Sequence, residues 1–305
     1  MSTSVLFDAP GPRARVRNGL LTAISVAAVA AVLYGVYAGF DAKGQWDAKI
    51  WQPFTQWETW QVFIIPGLIG TLRAAATAAV CAVLFGMVFG LARMSDHAWI
   101  RVPAGVVVEV FRAIPLLLLI FFIFYLAPMV GGGGDYSFMA VVLGLTLYNG
   151  SVLAEVVRAG VYAVPKGQAE AAYAVGMRKN QVMRLVLLPQ AVTAMMPAIV
   201  SQLVVLLKDT ALGYIIAYVD LLNTGFKILP AAFFGSLIPA AIVIGIIYVL
   251  LNLALSYLAT WLERRSRRSR KTAARPLAPP GGGDSAVLAT GAASTAAIVQ
   301  DRGTP

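Results

Sequence analysis

Cysteine and histidine are nearly missing from this chain: each occurs once in 305 residues, as Cys81 and His97. A single cysteine excludes an internal disulfide and any cysteine-cluster metal site. A single histidine leaves no pair for a metal and no catalytic dyad, and His97 reads as a loop residue near a membrane surface. Charge is scarce too, at 12% of residues. No Gly-x-x-x-x-Gly-Lys-Ser/Thr phosphate loop occurs, so ATP has no site of that kind here. An intramembrane enzyme needs a nucleophile–base or metal set within its spans, and this inventory offers little to build one from. We therefore expect no catalytic residue, no metal and no cofactor in the chain itself.

What is plentiful is apolar. The chain is 59% hydrophobic, with a mean hydropathy of +0.77. That is too apolar for a soluble domain of this length, and the expected class is an all-α, polytopic helical membrane protein with about six transmembrane helices. The net charge of +10 invites a nucleic-acid reading. The cations, however, sit in loops beside apolar runs, the positive-inside pattern of membrane proteins. No nucleic-acid partner is expected.

Residues 1–18 form a polar N-terminal segment with Arg13, Arg15 and Arg17. The apolar run Leu20 to Phe40 then has the length of a span, about 20 residues. A secretory signal is the alternative, given the basic start and small residues near Ala28 to Ala31. Trp46, Trp51, Trp57 and Trp60 crowd the next stretch. Tryptophan prefers the water–lipid interface, so residues 19–62 read as a first span and an external interfacial segment. A docking surface for an external binding protein is the functional alternative for that segment. Residues 63–262 hold the remaining spans: Phe63–Leu91, Pro103–Met129, Tyr136–Val156, Ala191–Leu207 and Ala231–Leu262. Gly131 to Asp135 reads as an external turn, and 209–230 as short external or re-entrant structure. Residues 263–305 are a basic run followed by a Pro/Gly/Ala/Ser-rich disordered cytoplasmic tail. With both termini cytoplasmic, only Lys43, Lys49 and Lys227 of the loop cations fall outside, a strong bias in the right direction.

Between two spans lies a polar, basic stretch, 164–190, that must emerge into water. Its pattern suggests a short helix, a turn at Gly176 and a second helix. Gly tolerates the positive φ that ends a helix tightly. Asn180 is placed to cap the second helix, and Pro189 suits a first turn. The small alanines leave room for another surface to come close.

Glu170-Ala171-Ala172, three residues, Gly176, nine residues and then Val186-Leu187-Leu188-Pro189 resembles the coupling loop of ABC-transporter permeases. Val186 stands where isoleucine is usual. The flanks resemble the importer branch for polar amino acids: Phe111-Arg112-Ala113-Ile114-Pro115-Leu116-Leu117, Glu155 to Gly160, and Lys208-Asp209-Thr210-Ala211-Leu212, with Ala211 replacing a common serine. The likeness runs from Pro66 to Arg265. It implies a type I importer permease fold in a bacterial inner (plasma) membrane. It also implies a homologous or identical permease partner, two ATPase subunits that carry the ATP, an extracytoplasmic amino acid-binding protein, and surrounding membrane lipids. Glu170, Ala171, Ala172, Gly176 and Pro189 would then couple to the ATPase.

Ionisable groups within spans cost about 2.5–3.5 kcal/mol each on insertion scales and tend to be paired or functional. Glu109 and Arg112 share a helical face; they are an ion pair, or Arg112 lies near the substrate path beside a kink at Pro115. Glu155 and Arg158 suggest a helix-end pair or gate. Arg73 either snorkels outwards or meets a substrate carboxylate. Lys208, Asp209 and Thr210 are candidates for an external gate. The cations suggest an acidic solute, glutamate first. The rival is a secondary amino acid transporter driven by an ion gradient, a class that often shows internal repeats; no inverted repeat is visible here.

Overall fold

The computed structural model describes residues 11–130, 134–233 and 236–273. The expected polar start at 1–10, the glycine turn at 131–133 and the tail from 274 onward lie outside the described residues. The chain divides after Thr260 into a helical bundle and a C-terminal unit.

The helices are α1 (Pro12–Asp41), α2 (Ala48–Thr55), α3 (Trp57–Ala92), α4 (Ala98–Ala113), α5 (Leu116–Leu126), α6 (Tyr136–Tyr162), α7 (Lys166–Ala174), α8 (Lys179–Ile216) and α9 (Leu237–Ala273). A short helical stretch, 221–232, lies between the last two. Among the described residues, five helices are long and apolar enough to cross a membrane, and six spans result if the bent pair α4–α5 counts as one. The expected six-span class stands, with two corrections. The third span is not one rod: α4 and α5 meet at 101°, because Pro115 lacks an N–H and forces Ile114 out of the helical region. The last span starts at Leu237, not Ala231.

The bundle is organised on α3 and α6. A stripe of small residues recurs every fourth position of α3, at Ala74, Ala78, Ala82, Gly86 and Gly90, all buried. In lipid, helix association depends on close packing rather than on hydrophobic transfer, so small residues at this spacing let backbones approach. Gly86 and Gly90 show how close: a Cβ on Gly86 would sit 2.7 Å from the Leu153 Cβ, and one on Gly90 2.8 Å from the Ala154 carbonyl oxygen. Leu116 and Ile120 of α5, and Leu206 and Leu207 of α8, complete this core.

Three prolines follow π-helical turns. Pro66 follows Trp60–Ile64, Pro189 follows Val182–Leu187, and Pro230 follows Thr224–Ile228. In each case the residue four before the proline lies in the widened turn. A proline ring collides with that carbonyl in a regular helix, and the wider turn moves it aside.

Helix α1 buries no residue. Its end is tied to α2 by aromatic rings: Trp46 stacks on Tyr37 at 5.6 Å and on Trp51 at 6.2 Å between centroids. The Trp46 indole N–H donates to the Tyr37 carbonyl at 3.3 Å, and that of Trp60 to the Phe54 carbonyl at 2.8 Å. Phe54 is buried with Ile64, Leu221 and Leu229.

Candidate functional site: a polar knuckle, an ion-pair chain and a buried amide pair

The knuckle is α7, a turn, and the first residues of α8. Gly176 has φ +82°. Its N–H donates to the Tyr173 carbonyl at 2.9 Å, and the Met177 N–H to the Ala172 carbonyl at 3.2 Å. This is the left-handed helix stop that glycine favours. The second limb starts differently from expectation: Arg178, not Asn180, is the capping position, and its backbone N–H donates to the Gln181 side-chain oxygen at 2.8 Å. Asn180 lies within the first turn and is exposed.

The alanines of α7 split by face. Ala172 is buried, as is Val182 on the second limb. Glu170, Ala171, Ala174 and Gly176 are exposed, together with Tyr173 and Val175, the last 77% exposed. Ala172 is thus turned inward within the knuckle, while Ala171 and Ala174 are turned outward. Pro189 is exposed at the head of the regular part of α8.

Next to the knuckle the charged residues join in one chain. Arg112 Nη2 meets Glu109 at 2.8 Å, Glu109 meets Arg93 at 3.1 Å, and Arg93 reaches Glu155 at 2.9 Å. Glu155 is also paired with Arg158, whose guanidinium lies 5.5 Å from the Tyr162 ring centre. The two local pairs expected from spacing are present. Arg93, at the end of α3, was missed. It sits in a loop by sequence, and only the fold brings it between the two carboxylates. Arg112, half-exposed, is thus a member of this chain through Glu109. Beyond Arg93, the Lys179 ammonium pairs with Asp96. That hydrogen bond holds the Asp96 carboxyl below its usual range against an opposing desolvation, helped by the positive charges of Lys179 and Arg101.

At the other end of the bundle the Arg73 guanidinium lies over Phe138, 4.3 Å from the ring centre. Asp135 caps α6 by accepting from the Phe138 N–H at 3.0 Å. Burial pushes the Asp135 carboxyl up, but bonds from Ser137 and Phe138 and the charge of Arg73 outweigh it, and the net shift is down. Lys208 is exposed, Asp209 half-buried and Thr210 buried. The Thr210 hydroxyl lies 3.3 Å from that of Tyr248, a contact between α8 and α9.

Within the bundle, Asn149 of α6 and Gln202 of α8 are joined by a 2.7 Å hydrogen bond. Among the described residues the Thr146 hydroxyl has no hydrogen-bond partner, and the Asn149 Nδ2 has none at full hydrogen-bond geometry. Asp209 is two turns beyond Gln202 on the same face and within electrostatic reach of Asn149. Sequence reasoning passed over these uncharged residues, although an amide within an apolar run is itself a marker.

These features define a polytopic membrane component whose water-facing chemistry is concentrated in one helical knuckle. Residues 82–268 match the family described as binding-protein-dependent transport system inner membrane component. The glutamate transport system permease protein GluD of Corynebacterium glutamicum is 43% identical over 229 residues, 74% of this chain and 83% of that protein. The probable glutamine ABC transporter permease protein GlnP of Bacillus subtilis is 33% identical, over 67% of this chain and 93% of its own length. A crystal structure of an amino acid ABC transporter with histidines matches with a TM-score of 0.61 and 33% identity, covering 66% of this chain and 93% of that one. The MetNI methionine transporter shares the fold at a TM-score of 0.57 and 21% identity. The chain belongs to the family of binding-protein-dependent transport system inner membrane components. It is a permease subunit of an ABC importer and not an enzyme.

Proposed function

We propose that this permease carries an acidic amino acid, glutamate first, into the cell. It works beside a second permease chain, is driven by two ATPase subunits and is fed by an extracytoplasmic binding protein. ATP stays on the ATPases. The observation that carries the proposal is the exposed surface of α7 and its C-terminal cap: Glu170, Ala171, Tyr173 and Val175 are exposed, on a helix joined directly to α6 and α8. A mobile cleft that grips this face pulls on both spans. The knuckle lies in the cytoplasm, as do both termini, because the loop cations cluster on its side. Pairing to another permease supplies the rest of the path, which Gln202, Asp209 and Lys208, all at least partly exposed, are available to line. Arg73 and Lys208 give the opposite end cationic groups suited to a carboxylate. Support for glutamate comes from the 43% identity to a glutamate permease. A second acidic-substrate relative, the Escherichia coli permease GltK for glutamate/aspartate, is 29% identical.

The test is uptake by the purified complex in liposomes. Labelled glutamate should accumulate with ATP inside and not with a proton or sodium gradient alone. Lysine taken up as well as glutamate would remove the acidic assignment. Gly176→Leu adds a decisive arm. A Cβ at Gly176 meets open space, so the change costs only about 1–2 kcal/mol of left-handed strain, confined to the knuckle. Insertion and ATP hydrolysis should survive while uptake is lost. Normal coupled uptake by Gly176→Leu would count against the coupling role.

A further inference from the structure

Beside the knuckle, and outside the parts just assigned, is a cavity of about 430 Å³ between the end of α3, the start of α4 and the start of α8. Its walls are apolar, from Leu91, Met94, Ile100 and Leu188. Lys179 and Arg184 stand among the residues that line it. Arg101 lies at the same loop, its guanidinium donating to the Ser95 and Asp96 carbonyls at 3.2 and 3.4 Å. Against these three cations the loop sets one acid, Asp96, paired with Lys179.

The neighbours of the lining residues are exposed and apolar: Trp99 is 74% exposed and Leu185 68%. Trp99 meets His97 edge-on at 6.0 Å, and neither Trp99 nor Leu185 belongs to a buried cluster. The cavity also lies where two spans end, at Ala92 of α3 and near the head of α8. Tryptophan, lysine and arginine at that depth mark the boundary between acyl chains and headgroups. A free phosphate would leave the apolar walls and the exposed Trp99 and Leu185 uncovered, whereas a lipid fills both halves.

We infer that this cavity is a binding site for an anionic glycerophospholipid, its phosphate held by Lys179 and Arg184 and its acyl chains lying along Trp99 and Leu185. Basic pockets between spans on the cytoplasmic side suit such headgroups. Lys179 is shared between Asp96 and the lipid phosphate, so headgroup occupancy bears on the strap between the α3–α4 loop and the knuckle. The inference rests on the cytoplasmic placing of the knuckle proposed above. The experiment below reads headgroup preference alone, so its failure would leave that placing untouched.

The purified transporter complex, in detergent, is titrated with phosphatidylglycerol or phosphatidylcholine and followed by native mass spectrometry. All samples carry glutamine at Arg264, Arg265, Arg267, Arg268, Arg270 and Lys271, so that the basic tail does not contribute. One saturable phosphatidylglycerol adduct per permease chain is expected, and no matching phosphatidylcholine adduct. Each charge removed should weaken it about fivefold, so Lys179→Gln with Arg184→Gln should weaken it roughly 25-fold. Lys179→Arg with Arg184→Lys should keep it. Ala92→Trp, which fills the cavity without changing charge, should reduce it as well and serves if the double glutamine variant does not assemble. Equal adducts with both lipids, or a double variant within about twofold of the parent, would overturn the assignment. Displacement of the lipid by inorganic phosphate alone would show a free-anion site and would also overturn it.

Discussion

Asp220 carries a cost that its position makes measurable. It is fully buried between the last two spans. Its Oδ1 accepts from the Asn223 N–H at 2.7 Å, while its Oδ2 has no partner. Burial pushes the carboxyl up to about 6, against the opposing pull of nearby backbone N–H groups. The folded state thus holds the proton more tightly than the unfolded chain does. Stability contributed by the neutral acid is present at low pH and is lost as pH rises through the window from about 4 to about 6. The full difference is on the order of 2–3 kcal/mol. Asp220→Asn keeps the Oδ1 acceptor and removes the charge. We expect its melting midpoint in detergent to be higher than the parent's at pH 7 and flat between pH 4 and 6. A variant that keeps the parent's pH slope would mean that another group titrates. Asp220 also shows what a sequence hides, because an aspartate in a mixed segment looks solvated until the segment folds against α3. Arg73 is the opposite case. Its place inside an apolar run was visible, but the residue stays exposed, and the Phe138 ring it lies over is 65 positions away in sequence.

Among the elements, the knuckle was legible because each part is local: a glycine stop, a proline head and a run of small residues. The error at its second limb, Asn180 against Arg178, arose because the cap is fixed by Gln181 reaching back, not by the best capping residue type. The α4–α5 break was legible as a proline but not as an angle; the Arg93–Glu109 and Arg93–Glu155 pairs that link α4 to α6 join residues 16 and 62 positions apart. The π-turns were not legible, although their prolines were. Pro189 is the instructive one, since its widened turn lies between the knuckle and the span it would move. In Pro189→Ala the collision disappears and an N–H returns, so the turn can revert to regular α-helix. Losing one residue from a widened turn rotates everything before it by about 100°. We expect Pro189→Ala to insert and melt within roughly 1 kcal/mol of the parent. ATP-driven uptake per ATP hydrolysed should fall severalfold. Full coupling in this variant would show that the register of the knuckle on α8 does not matter.

For the whole molecule, the geometry limits which sides of the membrane its parts can occupy. α3 runs from Trp57 to Ala92, a helix of 36 residues. At about 1.5 Å per residue that is more than one bilayer thickness, so α3 crosses once. The Lys179–Asp96 pair then fixes the knuckle at the far end of α3 from Trp57. Trp57 is 64% exposed and Val175 77%, so both positions accept a label without disturbing the bundle. In a Cys81→Ser background, Trp57→Cys should react in intact cells with a membrane-impermeant maleimide. Val175→Cys should react only after the membrane is opened. Labelling of both from the same side would contradict a single crossing by α3. Exchange of the two sides would keep the fold but place the exposed face of α7 where no ATPase can reach it, and the proposed coupling would fall with it. The charge distribution argues for the expected outcome: Arg93, Arg101, Arg112, Arg158, Lys166, Arg178, Lys179 and Arg184 lie at the knuckle end, against Lys43, Lys49, Arg73, Lys208 and Lys227 at the other. Reversing the chain would carry the larger set across the membrane, the arrangement that insertion disfavours.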